Sequence, residues 1–404
     1  MRKIPDIENY SKKNFSLVMI ETGTSTLATS IFTVLILWFA ISVTKSPLIT
    51  GFTSALMTAP LLLGVLAGAA VDQTKHKNAI AVMAAAIKTV SPATLLLIIL
   101  FNNATENIAS LFLSAFTFGI SITFLVPVRA VWQQNFLRKP VYLKGMSVAH
   151  LVSRTTRLSG YIAAALIIPY SLEFSIFLVM ALYIVSLGSI LLIPPVNGIR
   201  AATRKFSAVV KDGFIYIKNS RIITEIVIIS AISNLFFGMS DSASAVLIGS
   251  VFHLSSSFLG YTFFAISGGG ILGSVIMAKV KEVNGIGGKL LILYVLNGTI
   301  VLLVALYPGI YTLISVFFVA GLLLGISSPI ETAVLFGNVD RAKMGVVQGT
   351  MDTFGTSFSS VSGILAGTIM IITFPANVFF IMSGGFIALS ITIFMFKALK
   401  QVKV

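Results

Sequence analysis

The chain has 404 residues, of which 56% are hydrophobic and 10% charged, with a mean hydropathy of +1.00. Soluble domains carry about a quarter charged residues, so no water-soluble core could hide this much apolar surface and the solvent must be lipid. A net charge of +15 and the lack of cysteine bound the rest: there is no disulfide framework and no thiolate metal site.

A membrane-spanning helix needs about 20 predominantly apolar residues. Twelve such segments are predicted, at about 15–43, 47–71, 79–101, 108–131, 145–169, 172–195, 222–251, 257–280, 288–307, 309–333, 344–372 and 376–397. The first follows Lys12 and Lys13 and is far longer than the apolar stretch of a signal peptide, so it reads as a retained helix. The short alternating segments of a lipid-facing barrel do not occur. The expected class is an all-α polytopic membrane protein.

Charge placement sets the orientation. With both termini in the cytoplasm, 23 of the 28 Lys and Arg fall in tails or cytoplasmic loops, as the positive-inside bias requires. Lys75 and Lys77 follow the second span, Arg138, Lys139 and Lys144 the fourth, and six basic residues from Arg200 to Arg221 lie between spans six and seven. The positive charge is therefore a topology signal in the cell membrane, and no nucleic-acid partner is expected.

The chain also reads as a duplication. "GFTSALMTAPLLLG" (51–64) aligns with "GYTFFAISGGGILG" (260–273), "PVRAV" at Pro127 with "PIETA" at Pro329, and "LSGYIAA" around Gly160 with "VSGILAG" around Gly363. The offsets of 209, 202 and 203 residues place each span on the one six later. Two parallel six-helix repeats imply a pseudo-two-fold along the membrane normal, with a site at their interface. The expected units are residues 1–196, a linker at 197–221, and residues 222–404. Within the linker, Phe206, Val209, Val210, Phe214 and Ile217 fit helical spacing, which predicts an amphipathic helix on the inner surface.

This layout resembles the major facilitator superfamily over essentially the whole chain. "GVLAGAAVDQTKHKN" (64–78) is similar to that superfamily's loop between helices 2 and 3: a glycine-rich helix end, an aspartate, then basic residues. "PVRAVWQQNFLRKPVYLKGMSVAHL" and "TRKFSAVVKDGFIYIKNSRII" resemble the macrolide-efflux and enterobactin-exporter branch of drug:proton antiporters. Gln73 stands where that family has arginine, and Tyr161 where its antiporters have proline. The resemblance implies a cytoplasmic gate. Gly64 and Gly68 allow close helix approach, and Asp72 would meet the N-terminus of helix 11, near Met344, a contact worth about 0.3–1 kcal/mol. Lys75 and Lys77 complete the gate or simply anchor the loop.

The remaining chemistry lies in eight charges assigned to spans: Glu21, Lys88, Arg129, Arg154, Arg157, Asp241, Glu331 and Asp352. At roughly 2.5–3.5 kcal/mol each, eight unpaired charges would cost on the order of 20–28 kcal/mol. Most must therefore pair, face water, snorkel or sit neutral. By family geometry helices 1, 4, 7 and 10 line the cavity, which makes Glu21 the leading proton site, with Asp241 and Asp352 as rivals. Pairing of Glu21 with Arg129 or Arg154 is its structural alternative. Arg154 and Arg157 share a face of helix 5 and suit substrate or inter-half contacts. The alignment of Pro127 with Pro329 predicts a lock between Arg129 and Glu331. Single histidines at 76, 150 and 253 lack ligand spacing, so neither metal nor cofactor is expected. "SGGG" at 267–270 has no strand before it and no lysine after it, and reads as helix packing.

The resulting expectation is a monomeric, non-enzymatic secondary transporter, using a proton gradient across the bilayer to export a small amphipathic compound. Transport of an anionic metabolite or siderophore-like molecule is the alternative within transport. A lipid-handling or sensor protein on the same fold is the alternative outside it.

Overall fold

A computed structural model describes residues 12–100, 104–137, 142–196, 214–280, 285–339 and 344–401. Twelve long helical segments follow one another. In chain order they are α1 (Lys12–Thr44), α2 (Pro47–Thr58, a 3-10 turn Ala59–Leu63, then Gly64–Gln73), α3 (Lys77–Leu100), α4 (Ala104–Phe136), α5 (Tyr142–Ile167) and α6 (Leu172–Leu192). The second set is α7 (Arg221–Val246, ending in a π turn Leu247–Val251), α8 (Ser256–Ala278), α9 (Ile286–Leu306), α10 (Ile310–Asn338), α11 (Met344–Ile372) and α12 (Asn377–Met395). Among the described residues, nine helices are long and apolar enough to cross a membrane, and Pro47–Leu63 and Phe358–Ile372 are shorter apolar stretches. The remaining segment, α5, carries Lys144, Arg154 and Arg157 along its length.

Local chemistry sets the breaks. Ser46, with extended backbone, accepts from Ile49 N and caps α2 ahead of Pro47. Ser171 caps α6 in the same way, with Glu173 in the first turn. Pro60 cannot donate a helical hydrogen bond, and α2 tightens to 3-10 geometry around it. Lys45 and His253 take positive φ at the turns that end α1 and α7.

Helix packing shows the duplication directly. In the first half α1 packs on α5 and α6, α2 on α4, and α3 on α4 and α6. Six helices later the same pairs recur: α7 on α11 and α12, α8 on α10, and α9 on α10 and α12. The two halves meet chiefly through α2 on α11 and α5 on α8, a pair of contacts that the pseudo-two-fold exchanges.

Those seams are tight at one end and loose at the other. Near the start of α2, a Cβ on Gly51 would overlap the Gly363 carbonyl and lie 2.9 Å from Gly367 Cα. The related contact sets Gly260 of α8 against Ala165 of α5, and Gly249 lies on Ile41 and Trp38. Further along α2, a Cβ on Gly64 would reach Thr353 at 4.0 Å, and one on Gly68 would meet nothing within 4 Å among the described residues. On α8, a Cβ on Gly268 would reach Leu158 at 4.0 Å. Among the described residues, the halves are therefore in backbone contact at the Lys45 end, and the helix crossings loosen toward the Thr74 end.

The "SGGG" run does serve packing: Gly269 lies on the Phe318 carbonyl of α10, and Gly273 on Leu322 and Gly325. Of the expected linker helix, residues 197–213 lie outside the described residues. Residues 214–219 are helical, and Ile217 is buried with Ile223, Leu335 and Val339.

Candidate functional site

Glu21, on α1, is fully buried, and Arg129, on α4, is 18% exposed. The guanidinium grips the carboxylate with two bonds, Nε to Oε2 at 2.8 Å and Nη2 to Oε1 at 2.6 Å. Ser186 of α6 donates to Oε1 at 3.3 Å, and Thr22 to Oε2 at 3.4 Å. A bidentate Arg–carboxylate pair is the strongest neutralisation a side chain can give a buried acid. Of the two structural partners open to Glu21 from sequence, the structure pairs it with Arg129.

One helical turn along α1, Ser25 accepts a 2.9 Å bond from Lys88 of α3. The Lys88 ammonium, buried, lies 4.9 Å from the centre of the Tyr183 ring and 5.7 Å from that of Phe118. Lys88 thus does not snorkel. It rests on hydroxyl and aromatic faces inside the first half. Four helices, α1, α3, α4 and α6, converge on two cations and one carboxylate.

The second half builds a polar contact at the matching place. Glu331 of α10 accepts from the Tyr294 hydroxyl of α9 at 2.8 Å. Tyr294 lies 206 residues after Lys88, and Glu331 lies 202 after Arg129, within the spacing of the repeat. The expected lock between Arg129 and Glu331 is not formed in this structure, where each residue has a partner within its own half. Equivalent depth brings two repeat-related residues level, but the facing direction of each helix sends Arg129 to α1 and Glu331 to α9.

Asp241 on α7 is half-buried, with the Ser240 hydroxyl 3.5 Å away. Tyr161, the departure from proline in α5, stacks edge-on against Phe263 of α8 at 5.4 Å, so it contributes to the inter-half seam. The backbones of Asp72 and Asp352 lie in α2 and α11, but their side chains lie outside the described residues, as does the expected Asp72 latch. Lys75 is exposed. Lys77 is buried and donates to the Val71 carbonyl, which satisfies an orphan acceptor at the end of α2. Its neighbour Asn78 donates to the Ile193 carbonyl at 2.8 Å and accepts from Trp132 Nε1 at 3.0 Å. The loop is therefore bolted to the first half by Lys77 and Asn78 together.

Arg154 and Arg157 are exposed, on one face of α5, and line a pocket of about 370 Å³ between α5, α8 and α10. Arg154 Nη1 donates to the Ser274 hydroxyl of α8 at 2.7 Å, across the two halves. One functional-looking acid was missed in the sequence. Glu225, buried at the start of α7, accepts from Leu399 N at 3.0 Å, Ala398 N at 3.3 Å and Arg221 Nε at 3.3 Å. It lies four residues after Arg221, at the start of the seventh span. Its position ahead of a C-terminal helical turn (Ala398–Gln401) carries no sequence signal.

No family model matches the chain, and no curated protein matches it. Solved structures do. The nucleoside transporter NupG is 12% identical with a TM-score of 0.76, covering 95% of this chain and 98% of that one. A POT family transporter in complex with 5-aminolevulinic acid is 12% identical with a TM-score of 0.75, covering 96% and 98%. The human organic anion transporter MFSD10 is 16% identical with a TM-score of 0.66, covering 96% and 100%. Full-length agreement of this kind, with the exchanged helix pairs above, gives this chain the major facilitator fold.

Proposed function

We propose that the protein is a secondary active transporter that exports small amphipathic compounds in exchange for protons, by alternating access between residues 1–196 and 222–404. One observation carries this reading: the halves touch backbone to backbone at the Lys45 end, and among the described residues their helix crossings loosen toward the Thr74 end. A site between two bodies, closed on one side and open on the other, is what alternating access requires. The loop-charge bias puts the open end in the cytoplasm, so this arrangement is the one that loads substrate from inside. Solved structures that share the fold are described as transporters of nucleosides, peptides or organic anions, which supports a small-molecule cargo.

In the proposed cycle Glu21 exchanges the proton. In this conformation its carboxylate is held by Arg129 and by the Ser186 hydroxyl. Protonation would loosen Arg129, and a carboxylate that alternates between the two conditions couples proton movement to the motion of α1 and α4. Asp72 at the end of α2 remains the proposed latch that closes the cytoplasmic side. Everted membrane vesicles with a fluorescent amphipathic dye test the reading. Dye should accumulate when a proton gradient is imposed and be released when it is dissipated. Accumulation indifferent to the gradient would overturn proton exchange.

A further inference from the structure

We infer that the pocket between α5, α8 and α10 binds an anionic group, a carboxylate or phosphate, and that this group bridges the two halves. Calling that group part of the cargo rests on the transport reading above. Its volume of about 370 Å³ falls in the range of small-molecule sites. His150, Arg154 and Arg157 lie along α5 at helical spacing and point one stripe of basic side chains into it, while Ser267, Ser274 and Ser328 face them from the second half. No aspartate or glutamate lines it among the described residues.

That charge imbalance decides the ligand's sign. Arginine stays protonated at any accessible pH, so two guanidiniums within a span must find water or an anion. Glu21 belongs to Arg129 and Glu331 accepts from Tyr294, while Asp241 on α7 has its bond from Ser240 and does not line the pocket. Ser274 donates its own proton to the Gly270 carbonyl at 2.9 Å and receives Arg154 at 2.7 Å. Arg154 is thereby aimed across the seam, with its remaining N–H groups and those of Arg157 free to fork onto one oxyanion. An anion held there would contact α5 from one half and α8 or α10 from the other. Its arrival and departure would then favour different separations of the halves at the Thr74 end.

The same chemistry can arrive as a soluble carboxylate or as a lipid phosphate, and the test separates them. Full-length protein in phosphatidylcholine nanodiscs is titrated calorimetrically with naphthoate, naphthylmethanol and naphthylmethylamine, three probes of one shape and different charge. Naphthoate should bind at least about tenfold more tightly than the other two. Arg157→Gln and Arg154→Gln should each weaken naphthoate about tenfold or more and leave naphthylmethanol unchanged, while Arg157→Lys should retain part of the affinity. In discs that also contain phosphatidylglycerol, naphthoate weakened in the wild type but not further in Arg157→Gln identifies the lipid headgroup as an occupant of the same site. Unchanged affinity there identifies the soluble anion. Equal binding of all three probes, an Arg→Gln variant that binds naphthoate like the wild type, or no binding of naphthoate in either disc would overturn the inference. The assay uses no gradient, so its failure leaves proton-driven export standing, and failure of the vesicle assay leaves the anion site standing.

Discussion

Arg129 and Glu21 form a two-bond ion pair between α4 and α1, at 2.6 and 2.8 Å, with the carboxylate sealed from solvent. Removing one partner of a buried pair strands the other and costs about 3–5 kcal/mol, whereas replacing both with apolar groups of similar size is close to neutral. Arg129→Met alone should therefore lower the thermal unfolding temperature and the yield of monodisperse protein. Adding Glu21→Leu should restore much of both, although transport stays lost. The exchange Arg129→Glu with Glu331→Arg should rescue nothing. Thermal unfolding of the wild type, Arg129→Met, Glu21→Leu and their double variant in detergent measures the coupling, and additive single effects would show that the pair contributes no specific energy.

The twelve segments were legible because lipid demands long apolar runs and because loop charge is a strong topological marker. The duplication was legible from short glycine and proline matches, since close helix crossings need small residues at fixed places: Gly51 and Gly260 do occupy equivalent crossings, on Gly363 and Ala165. The pairing of the charges was less legible. Alignment gives depth along the membrane normal, but partner choice depends on helix rotation, which one sequence does not encode strongly. Glu21 could be matched to two arginines, and the alignment set Arg129 against Glu331, which are not paired in this structure. The surroundings of Lys88 were left open because nothing local announces Ser25, Tyr183 and Phe118, which come from three other helices.

The glycine crossing at the Lys45 end predicts a population shift. Gly51→Ala puts a methyl group where the Gly363 carbonyl now sits, and overpacking of that kind costs about 1–3 kcal/mol. The halves must part there or the helices must slide. Nitroxide labels at Lys45 and Phe374, both exposed near that end, should show a longer distance distribution in the variant. Gly68→Ala, where the added carbon meets nothing within 4 Å among the described residues, should leave it unchanged. Identical distributions for Gly51→Ala and the wild type would mean that this contact does not hold the end closed.

Glu225 predicts a local effect at the other end of the chain. Its carboxylate caps the turn Ala398–Gln401 by accepting two backbone N–H groups. Loss of a helix cap costs about 0.5–2 kcal/mol. Glu225→Ala should therefore raise amide exchange at Leu399 several-fold, with no change in the buried middle of α1, and Glu225→Gln should fall between. Unaltered exchange at Leu399 would show that packing of its buried side chain, and not the cap, fixes the turn.

The last prediction concerns coupling through Glu21. Only an ionised carboxylate can accept both Arg129 bonds, because a protonated one turns an acceptor oxygen into a donor facing another donor. Proton loading therefore requires Arg129 to withdraw, and Arg129, partly exposed where Glu21 is not, is the partner able to move toward water. Lys88, one turn away, is satisfied by Ser25 and two rings and offers Arg129 no substitute acceptor, so a neutral Glu21 removes the ion pair that holds α1 to α4. Glu21→Gln fixes the protonated charge state while one amide oxygen still accepts from Arg129. The variant should bind a neutral amphipathic dye within about threefold of the wild type, since it removes no substrate contact. Its transport should no longer follow the imposed proton gradient or change with pH. Exchange of dye across the membrane without a gradient should persist, because a carrier that cannot release its proton can still shuttle cargo down its own gradient. If Glu21→Gln still drives dye against its gradient in proportion to the proton gradient, the coupling group is elsewhere, and the half-buried Asp241 on α7 becomes the residue to replace.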